Sequence, residues 1–178
     1  MAEAFSNSLT RAAGIVSTSS SGSIGIQTNL ITGISTVDVA VNDLVDNTHY
    51  ITGTKVSSVG ASQVVCNRDS TNTSAAASQS VKFLGPTTAY TSTSTKSILV
   101  GGTFANNTGN SVNLTVQVFD NSASTEVGLA ANIPVPNGSS FVISDTGKTV
   151  LESSDEIRIY CDTANAIDAT LSILTGVS

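Results

Sequence analysis

Short segments in which apolar and polar residues alternate recur along this chain of 178 residues. The alternation is clearest at residues 36–41, 113–118, 156–160 and 168–173. Because successive side chains of a β-strand point to opposite faces, each segment predicts a strand with one buried and one solvent-facing side. A helical period is weak everywhere; over residues 3–13 we expect an extended segment, with a short helix as the alternative. The sequence therefore predicts an all-β protein.

Turn-forming residues separate the predicted strands at short intervals, as in sandwiches and barrels. They occur at residues 107–110, 120–122, 136–138, 145–147 and 162–165. Pro134 and Pro136 lack backbone donors, so the segment around them suits an edge strand or a crossing between strands. We expect Asp155 to accept hydrogen bonds from nearby backbone N–H groups at a corner over residues 150–155. Gly101 and Gly102 lie within strand-like sequence and predict a β-bulge.

The composition excludes several classes of protein. The chain has 28 Ser, 24 Thr and 14 Asn, only 11% charged residues, a net charge of −6 and a mean hydropathy of +0.19. Disordered chains combine low hydropathy with high charge, which does not describe this one. Seven dispersed Lys and Arg residues do not form a surface that could follow nucleic-acid phosphates, and the apolar runs are too short to span a membrane. Glu3 and the lack of a continuous apolar run near the N-terminus predict no secretory signal.

Residues that could carry chemistry are few and scattered. Cys66 and Cys161 are far apart, without a CxxC motif, and predict buried reduced thiols rather than a disulfide or a metal site. His49 is the only histidine, and its neighbours predict a surface or turn position. No GxSxG motif accompanies it, and no glycine-rich phosphate loop precedes a helix.

Acidic residues cluster in two places, at Asp38, Asp43 and Asp46 and again at Glu152, Asp155 and Glu156. A glycosidase needs two acids beside a cleft lined with sugar-stacking aromatic residues, and this chain has eight aromatic residues and no Trp. Calcium is an alternative at the first cluster, but the spacing of an EF-hand loop is absent. We therefore predict a protein that is not an enzyme, without a cofactor or a metal site.

Composition divides the chain into four segments. We expect an N-terminal docking arm over residues 1–22, a small β module over 23–85, a Thr/Ser-rich linker over 86–96 and a second β module over 97–178. The arm contains too little apolar area to pack alone, so it is predicted to bind another protein or a second copy. Its candidate interaction residues are Phe5, Leu9, Arg11, Ile15 and Val16.

The first module carries a recurring frame within residues 31–83. It consists of Val41, Asp43, Leu44 and Val45, then Ile51, Gly53, Thr54 and Val56, then Ser57, Ser58 and Val59. This frame resembles a small β repeat that is frequent in virion proteins of tailed bacteriophages. Asn42 stands where the repeat usually has Gly, and Asn also tolerates a left-handed backbone. The spacing predicts that five apolar side chains face one core: Val41, Val45, Ile51, Val56 and Val59.

The second module carries motifs in a fixed order over residues 98–174. They are Asn107-Thr108 and the segments 114–118, 133–140, 150–158 and 166–174. This order is similar to that of an Ig-like module recurrent in structural proteins of marine and cyanobacterial phages. The opening residues 4–14 also resemble the N-terminal segment of that family.

The two resemblances imply a non-enzymatic virion protein of a tailed phage. The implied fold is a barrel-like or sandwich-like β module followed by an Ig-like β-sandwich, with an extended N-terminal arm. The expected role is a homo-oligomer in the neck or tail, as a collar, adaptor or fibre-attachment protein. A head decoration protein and a carbohydrate-binding adhesion module are the alternatives. The implied partners are other virion proteins and copies of the chain, with a host-surface glycan as a further candidate, and the implied location is the virion, assembled in the host cytoplasm.

Overall fold

The computed structural model describes residues 3–144 and 148–177, which form antiparallel β-sheets joined by turns. The described residues contain no helix, and therefore no helix that could cross a membrane. The chain divides into two compact units. Unit 1 combines Met1–Gly14 with Pro86–Ser178, and unit 2 is Ile15–Gly85. The predicted all-β fold class is confirmed.

The described residues form fifteen strands. In chain order these are β1 (Ala4–Ala13), β2 (Ile15–Ile24), β3 (Leu30–Thr32), β4 (Leu44–Asp46), β5 (Val56–Val59), β6 (Gln63–Cys66), β7 (Ala76–Gly85), β8 (Thr87–Thr91), β9 (Lys96–Asn106), β10 (Val112–Asp120), β11 (Thr125–Val135), β12 (Ser140–Ile143), β13 (Thr149–Glu152), β14 (Glu156–Cys161) and β15 (Ile167–Thr175).

Unit 1 is sandwich-like, with two antiparallel sheets around one apolar core. The first sheet has the order β1-β15-β9-β12, with β13 also paired to β9, and the second has the order β11-β10-β14-β8. Leu99, Phe104 and Leu171 of the first sheet pack in one cluster with Leu114 and Ile159 of the second. Burial of these side chains is the main favourable contribution to the folding of this unit.

The alternating segments of unit 1 form strands as predicted. Residues 113–118, 156–160 and 168–173 lie in β10, β14 and β15, and their apolar side chains face the core. Four of the predicted turns connect successive strands, and the fifth, at residues 145–147, lies outside the described residues. The predicted bulge is present, because the pairing of β15 with β9 shifts between Ser172 and Ile173, opposite Leu99 and Gly101. The Pro134 segment lies in β11, an edge strand.

Unit 2 is built on one six-stranded sheet with the order β4-β7-β2-β3-β6-β5. Its core includes Ile31, Val64 and Phe83, all fully buried. Of the five apolar residues predicted to face one core, Val45 and Val56 are buried. The other three, Val41, Ile51 and Val59, are exposed, so that prediction is wrong for them.

The strand predicted at residues 36–41 does not form. Asp38 has a φ of 60°, which an extended strand does not allow, and the Val39 N–H bonds the Thr36 carbonyl in a turn. A further hydrogen bond in this segment runs from the Ala40 N–H to the Asp43 carboxylate. Local hydrogen bonds of Asp therefore outweigh the apolar alternation at this site. The predicted left-handed backbone at Asn42 is present, with a φ of 75°.

The structure divides the chain differently from the composition. Residues 1–22 are not a separate arm, because β1 pairs with β15 in unit 1 whereas β2 pairs with β7 in unit 2. Residues 86–96 are not a linker, because β8 pairs with β14. Both segments are rich in Ser and Thr, whose small side chains fit a sheet when a partner strand is present. The boundary at Gly85 coincides with the predicted end of the first module.

Asp155 holds the predicted corner of unit 1. Its side chain is buried, and its two carboxylate oxygens accept hydrogen bonds from the Asn121 N–H at 3.0 Å and the Glu152 N–H at 2.8 Å. One side chain therefore joins the turn after β10 to the turn after β13. This prediction from the sequence is confirmed.

We expect Asp155→Ala to lower the free energy of unfolding of unit 1 by about 1 to 3 kcal/mol, because it leaves two backbone donors without their acceptor. Glu152→Ala is the control: Glu152 is exposed in the same turn, and its replacement should change stability by less than about 0.5 kcal/mol. Urea unfolding, monitored by hydrogen exchange of peptides from unit 1, measures the free energy of unfolding of each variant. Equal effects of the two variants would contradict the structural role of Asp155.

The two cysteines are free and buried, as predicted. Burial raises the pKa of the Cys66 thiol from 9.0 to about 11, against a smaller opposite effect of a hydrogen bond with Tyr50. Burial likewise raises the pKa of the neighbouring Tyr50 hydroxyl, which donates a hydrogen bond to the Thr28 carbonyl. Both groups therefore favour the protonated state in the folded unit.

These pKa shifts predict a loss of unit 2 stability at alkaline pH. Between pH 9.0 and about 11 the unfolded Cys66 thiol releases its proton while the folded one keeps it, so stability falls as pH rises. The slope should be shallower in Cys66→Ala and unchanged in Cys161→Ala, which alters unit 1. Hydrogen exchange of unit 2 peptides across this pH range measures the slope. An identical slope in wild type and Cys66→Ala would contradict the assignment.

Candidate functional site

Strand β1 lies at one end of the five-stranded sheet of unit 1. Its residues Ala4 to Thr10 pair without interruption with β15, from Thr175 to Ala169. No strand of the described chain pairs with its other edge. The backbone groups along that edge are therefore available to a strand from outside the molecule.

The side chains of β1 are arranged with polar groups toward the molecule and apolar groups toward solvent. The Ser8 and Thr10 hydroxyls donate hydrogen bonds of 2.7 and 3.3 Å to the Ala89 carbonyl on β8, in the opposite sheet. Phe5 and Leu9 lie on the other face and are 73% and 75% exposed. Because the strand alternates, fixing the hydroxyls inward forces these two large apolar side chains outward.

The exposed side chains of β1 continue across the sheet. The outer face is defined here as the surface of this sheet that points away from the core. The cross-strand pairing places Phe5 beside Leu174, Leu174 beside Ile98, and Ile98 beside Val150. We call these four residues the apolar row. Leu174 and Ile98 are half-buried, whereas Val150 is 54% exposed.

A second line of side chains runs parallel to the apolar row. It joins Leu9, Thr170, Thr103 and Val142 in neighbouring strands. Val142, on the short strand β12, is 53% exposed. The outer face therefore presents apolar side chains on both borders of the sheet, a feature that often marks a binding surface.

The structure brings together three of the five predicted interaction residues. Phe5, Leu9 and Arg11 lie on one strand in unit 1, all exposed. Ile15 and Val16 belong to β2 in unit 2, where Ile15 is exposed and Val16 is half-buried. The division between the units falls at Gly14, within the predicted arm.

Sequence reasoning missed the other half of the outer face. Val142 and Val150 lie in the four-residue strands β12 and β13, and neither was among the predicted interaction residues. The available signal was the alternation within each strand, since Leu151 is fully buried and its neighbour Val150 must face outward.

The C-terminal end of β1 is held firmly in unit 1. The Ala13 and Gly14 carbonyls accept hydrogen bonds from the Ala166 and Asn165 N–H groups, at 2.8 and 2.9 Å. Gly14 has a φ of 116°, and a Cβ at this position would lie 2.5 Å from the Thr163 carbonyl oxygen, so only glycine fits. β1 is thus fixed in place before any partner binds.

The other candidate residues do not assemble a reactive site. His49 lies in a turn, where its N–H donates to the Asn47 side chain. Asp43 caps the Ala40 N–H, and burial raises the pKa of its carboxyl group. Among the residues described, no group of three or more His, Cys, Asp and Glu side chains is placed to hold a metal ion.

The second acidic cluster also has structural partners. Glu156 forms an ion pair of 2.8 Å with Arg158, and Arg158 forms another of 3.0 Å with Glu126. The Arg158 guanidinium lies 3.7 Å from the centre of the Phe119 ring. These contacts give Arg158 two carboxylate partners and one aromatic partner, so Glu156 serves in an ion pair of unit 1.

The exposure of β1 predicts which substitutions the fold tolerates. Phe5→Ser and Leu9→Ser should each change the free energy of unfolding of unit 1 by less than about 0.5 kcal/mol, because these side chains have little contact with the core. Leu171→Ala is the control: Leu171 is fully buried opposite Ser8, and its loss should cost about 2 to 5 kcal/mol. Thermal unfolding measures all three. A cost for Leu9→Ser near that of Leu171→Ala would show that Leu9 is part of the core.

Comparison with known proteins adds no identification: no protein-family model, no curated protein and no solved structure matches this chain.

Proposed function

We propose that this chain is a non-enzymatic structural protein of a tailed-phage particle, which assembles as a homo-oligomer in the neck or tail region. Two lines of support lead to this proposal. Both modules resemble those of phage virion proteins in the order of their motifs, with unit 1 as the Ig-like module. The observation that carries the proposal is the exposed edge strand β1, with Phe5 and Leu9 directed to solvent.

The energetics of β1 favour association. Each square ångström of apolar surface removed from water contributes about 25 cal/mol, so covering two large side chains and their neighbours in the apolar row is favourable. An unpaired strand edge adds backbone hydrogen bonds to any partner that supplies a strand. Because β1 is already ordered, a partner strand gains these contacts without the entropic cost of ordering β1.

The sparse charge of the chain also suits assembly. Only 11% of the residues are charged, and many of the Ser, Thr and Asn residues are exposed. Burying a charged side chain in an interface costs far more than burying a small hydroxyl group that finds a hydrogen bond. A surface of this kind can be packed against many identical copies at low desolvation cost.

The proposal is tested by quantitative mass spectrometry of purified particles of a phage that encodes this chain. We expect its peptides in the intact particle, at the copy number of a neck or tail ring of five, six or twelve subunits. A copy number that follows the capsid lattice would instead assign the chain to head decoration. Absence of the peptides from intact particles would contradict both.

The same particles test the role of the outer face. Phe5→Ser combined with Leu9→Ser should reduce incorporation at least about tenfold, since each buried side chain of this size contributes about 1.5 to 3 kcal/mol. Val127→Ser is the matched control, because Val127 is an exposed apolar residue on β11, an edge strand of the other sheet. Normal incorporation of the β1 variant would contradict docking through this strand.

A further inference from the structure

We propose that two copies of this chain pair through β1, antiparallel and with Asn7 on the two-fold axis. This inference rests on the homo-oligomer of the proposed function and names one contact within it, with its register. Because a two-fold pair closes on itself, the contact is compatible with rings of six or twelve subunits and not with a ring of five. The paired strands join the two five-stranded sheets into one sheet that crosses the interface.

The geometry of β1 sets the centre of the contact. The uninterrupted pairing with β15 runs from Ala4 to Thr10, and Asn7 is the middle residue of that stretch. The strand is interrupted after Thr10 by a bulge, and Ala12 has a φ of 55°. A two-fold axis at Asn7 therefore uses the whole regular part of the edge and ends where the bulge begins.

The outer-face side chains of β1 are complementary to themselves in this register. With Asn7 opposite the partner's Asn7, Phe5 lies opposite Leu9, and this pair occurs twice. Just beyond the regular stretch, Glu3, which precedes β1, is brought near Arg11, which follows Thr10 at the start of the bulge, and this pair also occurs twice. Directly opposed apolar pairs and opposite charges both stabilise antiparallel strands. Glu3 and Arg11 are exposed in the single chain, so both charged side chains are hydrated before the second copy binds.

The other face of the strand is compatible with the same register. There, Ser6 lies opposite Ser8, and Ala4 lies opposite Thr10. These are small side chains, and Ser8 and Thr10 already bond the Ala89 carbonyl of their own subunit. The contact therefore requires no rearrangement of the inner face.

Neighbouring registers lose this complementarity. A shift of two residues in one direction places Glu3 opposite Leu9 and Phe5 opposite Asn7. A shift in the other direction places Phe5 opposite Arg11 and Asn7 opposite Leu9. Both shifts separate Phe5 from Leu9. A shift by one residue would place residues whose N–H and C=O groups point toward the partner strand opposite residues whose groups point away from it, so the hydrogen bonds of the pair would not form.

The remaining long edge of unit 1 is less suited to such a contact. Strand β11 contains Pro134, which lacks a backbone donor, and its pairing with β10 shifts register twice. Strands β12 and β13 have only four residues each. β1 is the edge that combines length, regular backbone and complementary side chains.

A disulfide between copies tests the register. Asn7→Cys places two thiols across the two-fold axis, where opposed Cβ atoms are about 4.5 to 5.5 Å apart, close to disulfide geometry. Ser172→Cys is the matched control, because Ser172 lies beside Asn7 on the same face but one strand further from the axis. The native Cys66 and Cys161 are buried and do not compete.

Under mild oxidation we expect Asn7→Cys to form a disulfide-linked dimer as its main product and Ser172→Cys to form at least about tenfold less, given the separation of about 4.8 Å per added strand. Thermal unfolding of each reduced variant verifies the fold. Equal cross-linking of the two variants, or none of either, would overturn the register.

Charge reversal provides an independent measurement on the reduced protein. Glu3→Arg and Arg11→Glu should each weaken self-association about tenfold in sedimentation equilibrium, because each variant opposes two pairs of like charges. The double variant Glu3→Arg/Arg11→Glu restores both pairs with the sign exchanged, and should return the dissociation constant to within about threefold of wild type. Additive weakening in the double variant would overturn the pairing of these residues.

The two proposals fail separately. If the chain is incorporated into particles while both the cross-link and the charge rescue fail, the copies meet through another surface and only this inference is overturned. If the β1 dimer forms while the chain is absent from particles, the pairing stands and the proposed virion function is overturned.

Discussion

The pairing of the first strand with the last is the contact on which this architecture depends. β1 and β15 bring residues about the full length of the chain apart into one sheet, with Ala4 opposite Thr175. Closing so long a loop has a large entropic cost, which seven consecutive strand pairs and the packing of β15 in the core offset. The pairing makes unit 2 an insertion between β1 and β8, and it also creates the exposed edge.

The position of β1 beside β15 also explains why its polar side chains face the molecule and its large apolar side chains face solvent. Its inner face meets β8 through two hydroxyl groups rather than through large apolar side chains, so β1 approaches the second sheet closely while its bulk faces solvent. A strand whose apolar side chains faced the core would present mainly polar side chains to solvent. In this protein the edge strand is held by β15 and by the Ala89 carbonyl, has no strand on its other side and directs Phe5 and Leu9 to solvent, which are properties that suit a docking strand.

Local patterns in the sequence predicted much of this fold but not its closure. Alternation located β10, β14 and β15, and turn residues located the connections between them, because both depend on near neighbours. The segment at residues 36–41 also alternates, yet the positive φ of Asp38 and the hydrogen bond from the Ala40 N–H to the Asp43 carboxylate turn the backbone, which the pattern does not encode. The composition of residues 86–96 indicated a linker, since nothing in that segment shows that β14 is its partner.

The candidate site was half predictable for the same reason. Phe5, Leu9 and Arg11 could be recognised as candidate interaction residues, since they are large side chains in a segment of mostly small polar residues. That Ile15 and Val16 belong to another unit follows from the pairing of β2 with β7, which no local signal reveals. The contribution of Val142 and Val150 depends on the register of β12 and β13 against β9 and requires the folded sheet.

The central claim is that β1 is the edge through which copies associate, and amide hydrogen exchange of the wild-type chain measures this most directly. The N–H groups of residues 4–10 that face β15 should be protected at every protein concentration. Those that face away should exchange rapidly in dilute protein and become protected as the concentration rises, in alternation along the strand. Rapid exchange of the outward-facing amides at all concentrations, or concentration-dependent protection in β11 instead, would contradict the account.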